Sequence, residues 1–152
     1  MPYYGIKKEM AISDMSSDFF SNSYGELMAH LGEDAQNMLM PPMAFYYDWD
    51  EENDRTVVEA AVAVQSDKPD TDRIKKGMTW EGKALKAVHL GDYNTEDAHI
   101  ILSEYMENNG YQWPEGAGAI EVYVTDPEEE PDTSKWITEV YYPVTMPEND
   151  EG

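Results

Sequence analysis

Cysteine is absent from the 152-residue chain. That excludes a disulfide framework, a thiol nucleophile and every zinc or iron–sulfur site built on thiolates, and it makes a reducing, cytoplasmic setting the expectation. Basic residues are scarce, with ten Lys and Arg against 32 Asp and Glu and a formal charge of −22. Such a surface repels a phosphate backbone, so direct binding of DNA or RNA is not expected. No stretch approaches the roughly 20 apolar residues of a spanning helix, and the opening "MPYYGIKKEMAISD" has no signal-peptide core; the chain reads as soluble, without a membrane partner. No "G-x-S-x-G" and no glycine-rich phosphate loop occur. His30, His89 and His99 lack the spacing of zinc ligands, so neither a metal nor a cofactor is expected.

What is present is a pattern that runs twice. A strand near Gly5 to Ile12 precedes a helix whose inward face carries Phe20, Tyr24, Leu27, Met28 and Leu31, at helical spacing. After Pro41 and Pro42 come "MAFYYDW", an acidic turn and "TVVEAAVAV", two β-rich runs joined as a hairpin. The segment from Gln65 to Gly82 is polar, interrupted by Pro69 and Gly77, and reads as a connection. The order then restarts. "KALKAVHLG" is a strand and "NTEDAHIILSEYMENNG" a helix with Ala98, Ile101, Leu102, Tyr105 and Met106 on one face, closed by Gly110. "AIEVYVTD" and "KWITEVYYPV" follow as two strands around a second acidic turn.

The expectation is therefore an α+β fold of two β-α-β-β modules, an internal repeat over 3–65 and 82–145 within one domain spanning 1–152, with 146–152 as an acidic tail. The copies would share a core through a pseudo-two-fold arrangement of one antiparallel sheet. In register, Tyr46 corresponds to Tyr123 and Glu59 to Glu139.

Strand "SKWITEVYYPV" carries one carboxylate, Glu139, at its centre. Alternation puts Trp136, Thr138, Val140, Tyr142 and Val144 on one face and Ile137, Glu139, Tyr141 and Pro143 on the other. In the first copy Val58, Ala60, Val62 and Val64 oppose Val57, Glu59, Ala61 and Ala63, and parity assigns Ala119, Glu121 and Tyr123 to the Glu139 face. Tyrosines and small residues around a lone carboxylate suit a flat or lipophilic cation. A solvated glutamate on the open side of an antiparallel sheet fits the same parity.

Residues 82–144 supply a more specific pattern: "G-x-Y" at the helix entry (Gly91, Tyr93), a helix ending in "ENNGY", then "E-x-Y-x-x-D-P" and "W-x-T-E-x-x-x-P-V". In order and spacing this resembles the GyrI-like small-molecule-binding domain, the effector-binding module of AraC-type and MerR-type regulators, which also occurs alone; "FYYDWD" and "VVEAAVAV" match more loosely. The resemblance implies helices flanking a central groove on the sheet, a fold shared with the SOUL proteins, although nothing in this chain marks a haem ligand. It implies that the glutamate of the last strand, Glu139, faces the groove and meets a lipophilic cation, with Tyr123 and Tyr93 as groove aromatics, Trp113 and Trp136 matching less closely; the repeat adds Tyr46 and Glu59, and strand parity Tyr141, to the ligand-binding candidates. No helix-turn-helix precedes the repeat, so a complete transcription factor is not expected.

Some stand-alone members that this chain resembles hydrolyse cyclopropane-bearing toxins with a groove glutamate and tyrosine. That implies Glu139 and Tyr123 as the pair for such chemistry here, and Glu59 with Tyr46 as a second. A protein-interaction role such as gyrase modulation is the third reading. The first choice is capture of an amphipathic cation.

Overall fold

The computed structural model describes residues 1–15, 17–92, 94–125 and 129–145. The proposed acidic tail 146–152 lies outside them. The chain forms two compact units, Met1–Thr79 and Trp80–Gly152, and the antiparallel α+β architecture expected from the sequence is what forms. No helix among the described residues is long and apolar enough to cross a membrane.

In the first unit β1 (Pro2–Met10) is followed by α1 (Ser17–Leu31), β2 (Met43–Asp50), β3 (Arg55–Ala63) and β4 (Ile74–Met78). β1 pairs antiparallel with β3, setting Lys7 opposite Glu59, and with β4, setting Ile6 opposite Ile74. β2 completes the order β4-β1-β3-β2. Leu27 and Leu31, four apart on α1, are fully buried against Tyr4, Ile6, Val62, Val64 and Ile74. Each such side chain contributes about 1.5–3 kcal/mol by leaving water. Even-numbered residues of β1 and β3 therefore face the helix.

Two local devices hold this unit's loops. Asp54 closes the β2–β3 turn at φ 54, a left-handed conformation that Asp tolerates. Its carboxylate accepts from the Ser13 amide at 2.9 Å and the Ser13 hydroxyl at 2.6 Å, tying the α1 entrance to the hairpin.

The stretch between Gln65 and Gly82 is not only a connection, as its polarity suggested. It contains β4, whose Ile74 is 2% exposed in the core. The strand is short and places one apolar residue inward, while Lys75 and Lys76 keep its outer edge charged, so alternation is too brief to register in the sequence.

In the second unit β5 (Ala84–Leu90), α2 (Glu96–Asn108), β6 (Ala119–Tyr123) and β7 (Ile137–Pro143) give the order β6-β7-β5. Gly110, at φ 71, follows the Asn109 cap and ends α2 as expected. The inward face of α2 is rotated from its expected position. Ala98 and Leu102 are buried, whereas Ile101 and Tyr105 are 61% and 50% exposed. Thr95 and His99 turn inward instead, because a buried carboxylate on β6 takes their hydrogen bonds.

Candidate functional site

Three carboxylates stand on the strands of the two units, and their surroundings differ. The first, Glu59, lies on the face of β3 opposite α1 and is only 4% exposed. Tyr47 donates its hydroxyl to Glu59 Oε1 at 2.6 Å, and Tyr3 donates to the same oxygen at 3.1 Å. Phe45, which pairs with Glu59 in register, packs edge-on against both rings, with centroids 5.0 Å from Tyr3 and 6.2 Å from Tyr47. Burial, together with the Glu59 charge, pushes the Tyr3 phenol up to about 12 and raises that of Tyr47 further, so both remain donors.

Backbone chemistry makes room for this cluster. A Cβ on Gly5 would collide with Glu59 Oε2, and one on Gly77 would fall 2.5 Å from the Tyr3 ring. Only glycine lets the carboxylate lie across β1 and the phenol across β4. The pairing of β2 with β3 shifts between Tyr46 and Asp48, a bulge at Tyr47, which shares the face of Phe45 and reaches Glu59.

Among the described residues no cation pairs with Glu59, and its Oε2 accepts no hydrogen bond. Lys7, directly opposite in register, puts its ammonium over the Tyr47 ring, 4.1 Å from the centroid, instead of on the carboxylate. The result is a buried anion held by neutral donors inside an aromatic wall.

The second carboxylate, Glu121, is 4% exposed on the α2-facing side of β6. Oε2 accepts from Thr95 at 2.6 Å and lies 2.7 Å from His99 Nε2; Oε1 accepts from Tyr123 at 3.0 Å. His99 Nδ1 in turn sits 2.7 Å from the Tyr142 hydroxyl. Burial alone would raise the Glu121 carboxyl, but the bonds from His99, Thr95 and Tyr123 outweigh it and hold it below its ordinary value. Both oxygens are occupied, and the network docks α2 onto the sheet.

The third, Glu139, had the strongest claim from the sequence. Parity puts it on the side of β7 away from α2, with its side chain 23% exposed. It accepts from Tyr141 at 2.8 Å and pairs with Lys86 at 3.2 Å, so its charge is already met. That bond raises Lys86 above the ordinary lysine value.

The register corrects the expected pairings. Tyr123 stands opposite Thr138 and Glu121 opposite Val140, so both share the α2-facing side and not the face of Glu139. Tyr46 likewise stands opposite Val58, while Phe45 stands opposite Glu59. Alternation holds along each strand, but β6 meets β7 one residue away from the expected step, and a one-residue slip reverses the face. Glu139 with Tyr123, and Glu59 with Tyr46, are therefore not assembled on common faces, which removes the pairs read for hydrolysis. Trp113 donates its ring N–H to the Ala117 carbonyl at 2.6 Å and packs edge-on against Tyr142. Tyr93 lies outside the described residues.

The repeat itself is visible in the ladders. Glu59 faces Lys7 and Phe45 on its two neighbouring strands, and Glu139 faces Val88 and Val122 in the same places. Tyr3, Tyr47, Thr95, His99 and Tyr142 are the site residues the sequence reading passed over. Tyr3 had a legible signal, since "YYG" places it two residues from the small position that an extended Glu59 needs.

The model of the GyrI-like small molecule binding domain matches residues 1–145. Among solved structures, the EcmrR–DNA complex superposes with a TM-score of 0.70 at 20% identity, covering 95% of this chain and 54% of that one. The chain thus spans about half of that regulator. The isolated EcmrR C-terminal domain gives 0.67 at 21% identity over 95% and 92% of the two chains. SAV2435 bound to tetraphenylphosphonium gives 0.68 at 15% identity over 99% and 92%. At such identities the likeness is one of fold. No curated protein matches the sequence.

Proposed function

The chain belongs to the GyrI-like small-molecule-binding family, and we propose that it captures an amphipathic organic cation against Glu59. One observation carries this reading: Glu59 is a buried carboxylate whose hydrogen-bond donors are two neutral phenols, both on Oε1, with no cationic partner among the described residues. A buried carboxylate so placed has given up hydration without gaining a counter-charge, and it regains that energy from a cation that arrives with an apolar body. Tyr3, Phe45 and Tyr47 offer ring faces and edges to such a body, and a desolvated cation against an aromatic face gains on the order of 2 kcal/mol. That a structural neighbour was solved with tetraphenylphosphonium supports the ligand class.

Calorimetry with tetraphenylphosphonium and with tetraphenylborate, ions of like shape and opposite charge, tests the proposal. The cation is expected to bind and the anion not to, with Glu59→Gln weakening the cation at least tenfold. Equal binding of the phosphonium by parent and Glu59→Gln would refute the role of this carboxylate.

A further inference from the structure

The second unit ends in a strand whose outer edge is open. β5 comes last in the order β6-β7-β5, pairs among the described residues with β7 alone, and buries none of its seven residues. Val88 and Leu90 stand opposite Glu139 and Ile137, on the side away from α2, and are 56% and 68% exposed. A regular, apolar edge of this kind is a template for another strand. β4, the terminal strand of the first unit, carries Lys75 and Lys76 in succession, whereas on β5 the one lysine, Lys86, is drawn to Glu139 at 3.2 Å.

The helix side of the same edge is apolar too. α2 packs chiefly over β5, and its Thr95 and His99 reach inward to Glu121 on β6, the strand farthest from that edge within the unit. At about 100° per residue, Ile101 and Tyr105 lie roughly 120–160° round the helix from His99. They therefore face outward, over the β5 edge. The Tyr105 ring bears this out: it stacks on Tyr111 at 6.2 Å, and Tyr111 in turn takes the ammonium of Lys83, the residue before β5, at 5.3 Å. Ile101 and Tyr105 belong to the apolar stripe of α2, yet the unit buries only Ala98 and Leu102 of it.

We propose that the β5 edge is a homodimer interface, in which β5 pairs antiparallel with β5 of a second copy about a two-fold axis normal to the sheet. That symmetry keeps both α2 helices on one side of the joined strands, where Ile101 and Tyr105 of the two copies close over them, while Val88 and Leu90 cluster on the other side. The patch is its own complement, as an isologous contact requires. Charge favours the same occupant. Each copy carries −22, but residues 82–91 contain no Asp or Glu, so two copies can meet along this strand without setting carboxylate against carboxylate. Lys83, Lys86 and His89 are each engaged within the chain, by the Tyr111 ring, Glu139 and the Asp92 carbonyl, which gives an acidic partner no advantage over a second copy.

Sedimentation velocity of the full chain over a concentration series tests the proposal. A dimer is expected in the micromolar range, and it should tighten with salt, because Asp97 and Glu104, one turn before and after Ile101, rim the helix side of the patch and are screened from their counterparts. Val88→Lys puts a charge on one side of the edge and Ile101→Glu on the other; both positions are exposed, so the circular dichroism spectrum should not change. Each is expected to weaken self-association at least tenfold. Met78→Lys, at an equally exposed apolar position on β4, should leave it unaltered. A parent that stays monomeric to the high micromolar range, or a dimer that persists in either variant, weakens with salt or is lost in Met78→Lys, would overturn the assignment.

Discussion

Tyr47 donates its hydroxyl to Glu59 across 2.6 Å from a bulge in β2, the strand paired with Glu59's own. Tyr47 shares the face of Phe45, the residue opposite Glu59, and reaches the carboxylate diagonally across the pair. A hydrogen bond to a charged acceptor contributes about 1.5–3 kcal/mol. Tyr47→Phe is therefore expected to lower stability in urea by that order, and Tyr47→Phe combined with Glu59→Gln by clearly less than the sum. Additive losses would show that the phenol and carboxylate are not coupled.

Gly5 should tolerate no side chain. Its Cβ position is already filled by the Glu59 carboxylate, and overpacking of this kind costs about 1–3 kcal/mol. Gly25, on the exposed side of α1 with nothing within contact of a Cβ, is the control. Gly25→Ala should stabilise by roughly 0.5–1 kcal/mol through helix propensity. If Gly5→Ala melts no lower than the parent, Glu59 does not lie across β1.

Much of this is legible in the sequence. The two β-α-β-β modules, the positions of the strands other than β4 and the in-register correspondence of Glu59 with Glu139 follow from alternation and turn chemistry, which are local. What was not legible depends on how strands meet. Whether Tyr123 faces the same way as Glu139 turns on a single step of register between β6 and β7, and nothing in either strand alone fixes that step. The choice of carboxylate also lay out of reach. Glu59 and Glu139 occupy equivalent positions, yet one faces Phe45 under two phenols while the other finds Lys86, a residue on a different strand.

Glu139→Gln should accordingly be quiet. Its partner Lys86 is 47% exposed, and ion pairs at such surfaces contribute little against solvent screening. Urea midpoints of parent and variant are expected to coincide, and phosphonium affinity should be unchanged. A tenfold loss of phosphonium binding in Glu139→Gln would move the cation site to the second unit.

Acid should act through Glu121. Its carboxyl is held below the ordinary value in the fold, so the unfolded chain takes up the proton first. The stability it contributes is fully present above the ordinary carboxyl value of about 4.3 and is lost as pH falls through the depressed folded value. Glu121→Gln should cost about 1–3 kcal/mol at pH 7, where Thr95 and Tyr123 lose a charged acceptor. The gap between parent and variant should then narrow from pH 5 to pH 3. A gap that stays constant across that range would mean Glu121 titrates alike in both states.

Lys7 is the cation already at the site, and its removal bears on both the aromatic wall and the carboxylate. Its ammonium lies 4.1 Å from the Tyr47 centroid, on a residue directly opposite Glu59, so it occupies a ring face that an incoming cation would use and repels that cation at short range. Lys7→Met keeps an unbranched apolar stem and deletes the charge. Phosphonium affinity is expected to rise roughly two- to five-fold, the equivalent of the ~0.5–1 kcal/mol that an exposed cation–π contact contributes. Lys7→Arg retains the charge and stacks at least as well on the ring, so it should show no such gain. The pair separates competition from scaffolding. If Lys7→Met binds the phosphonium more weakly than the parent while Lys7→Arg binds it equally, the lysine is holding Tyr47 in place for the ligand, and the site depends on that cation instead of competing with it.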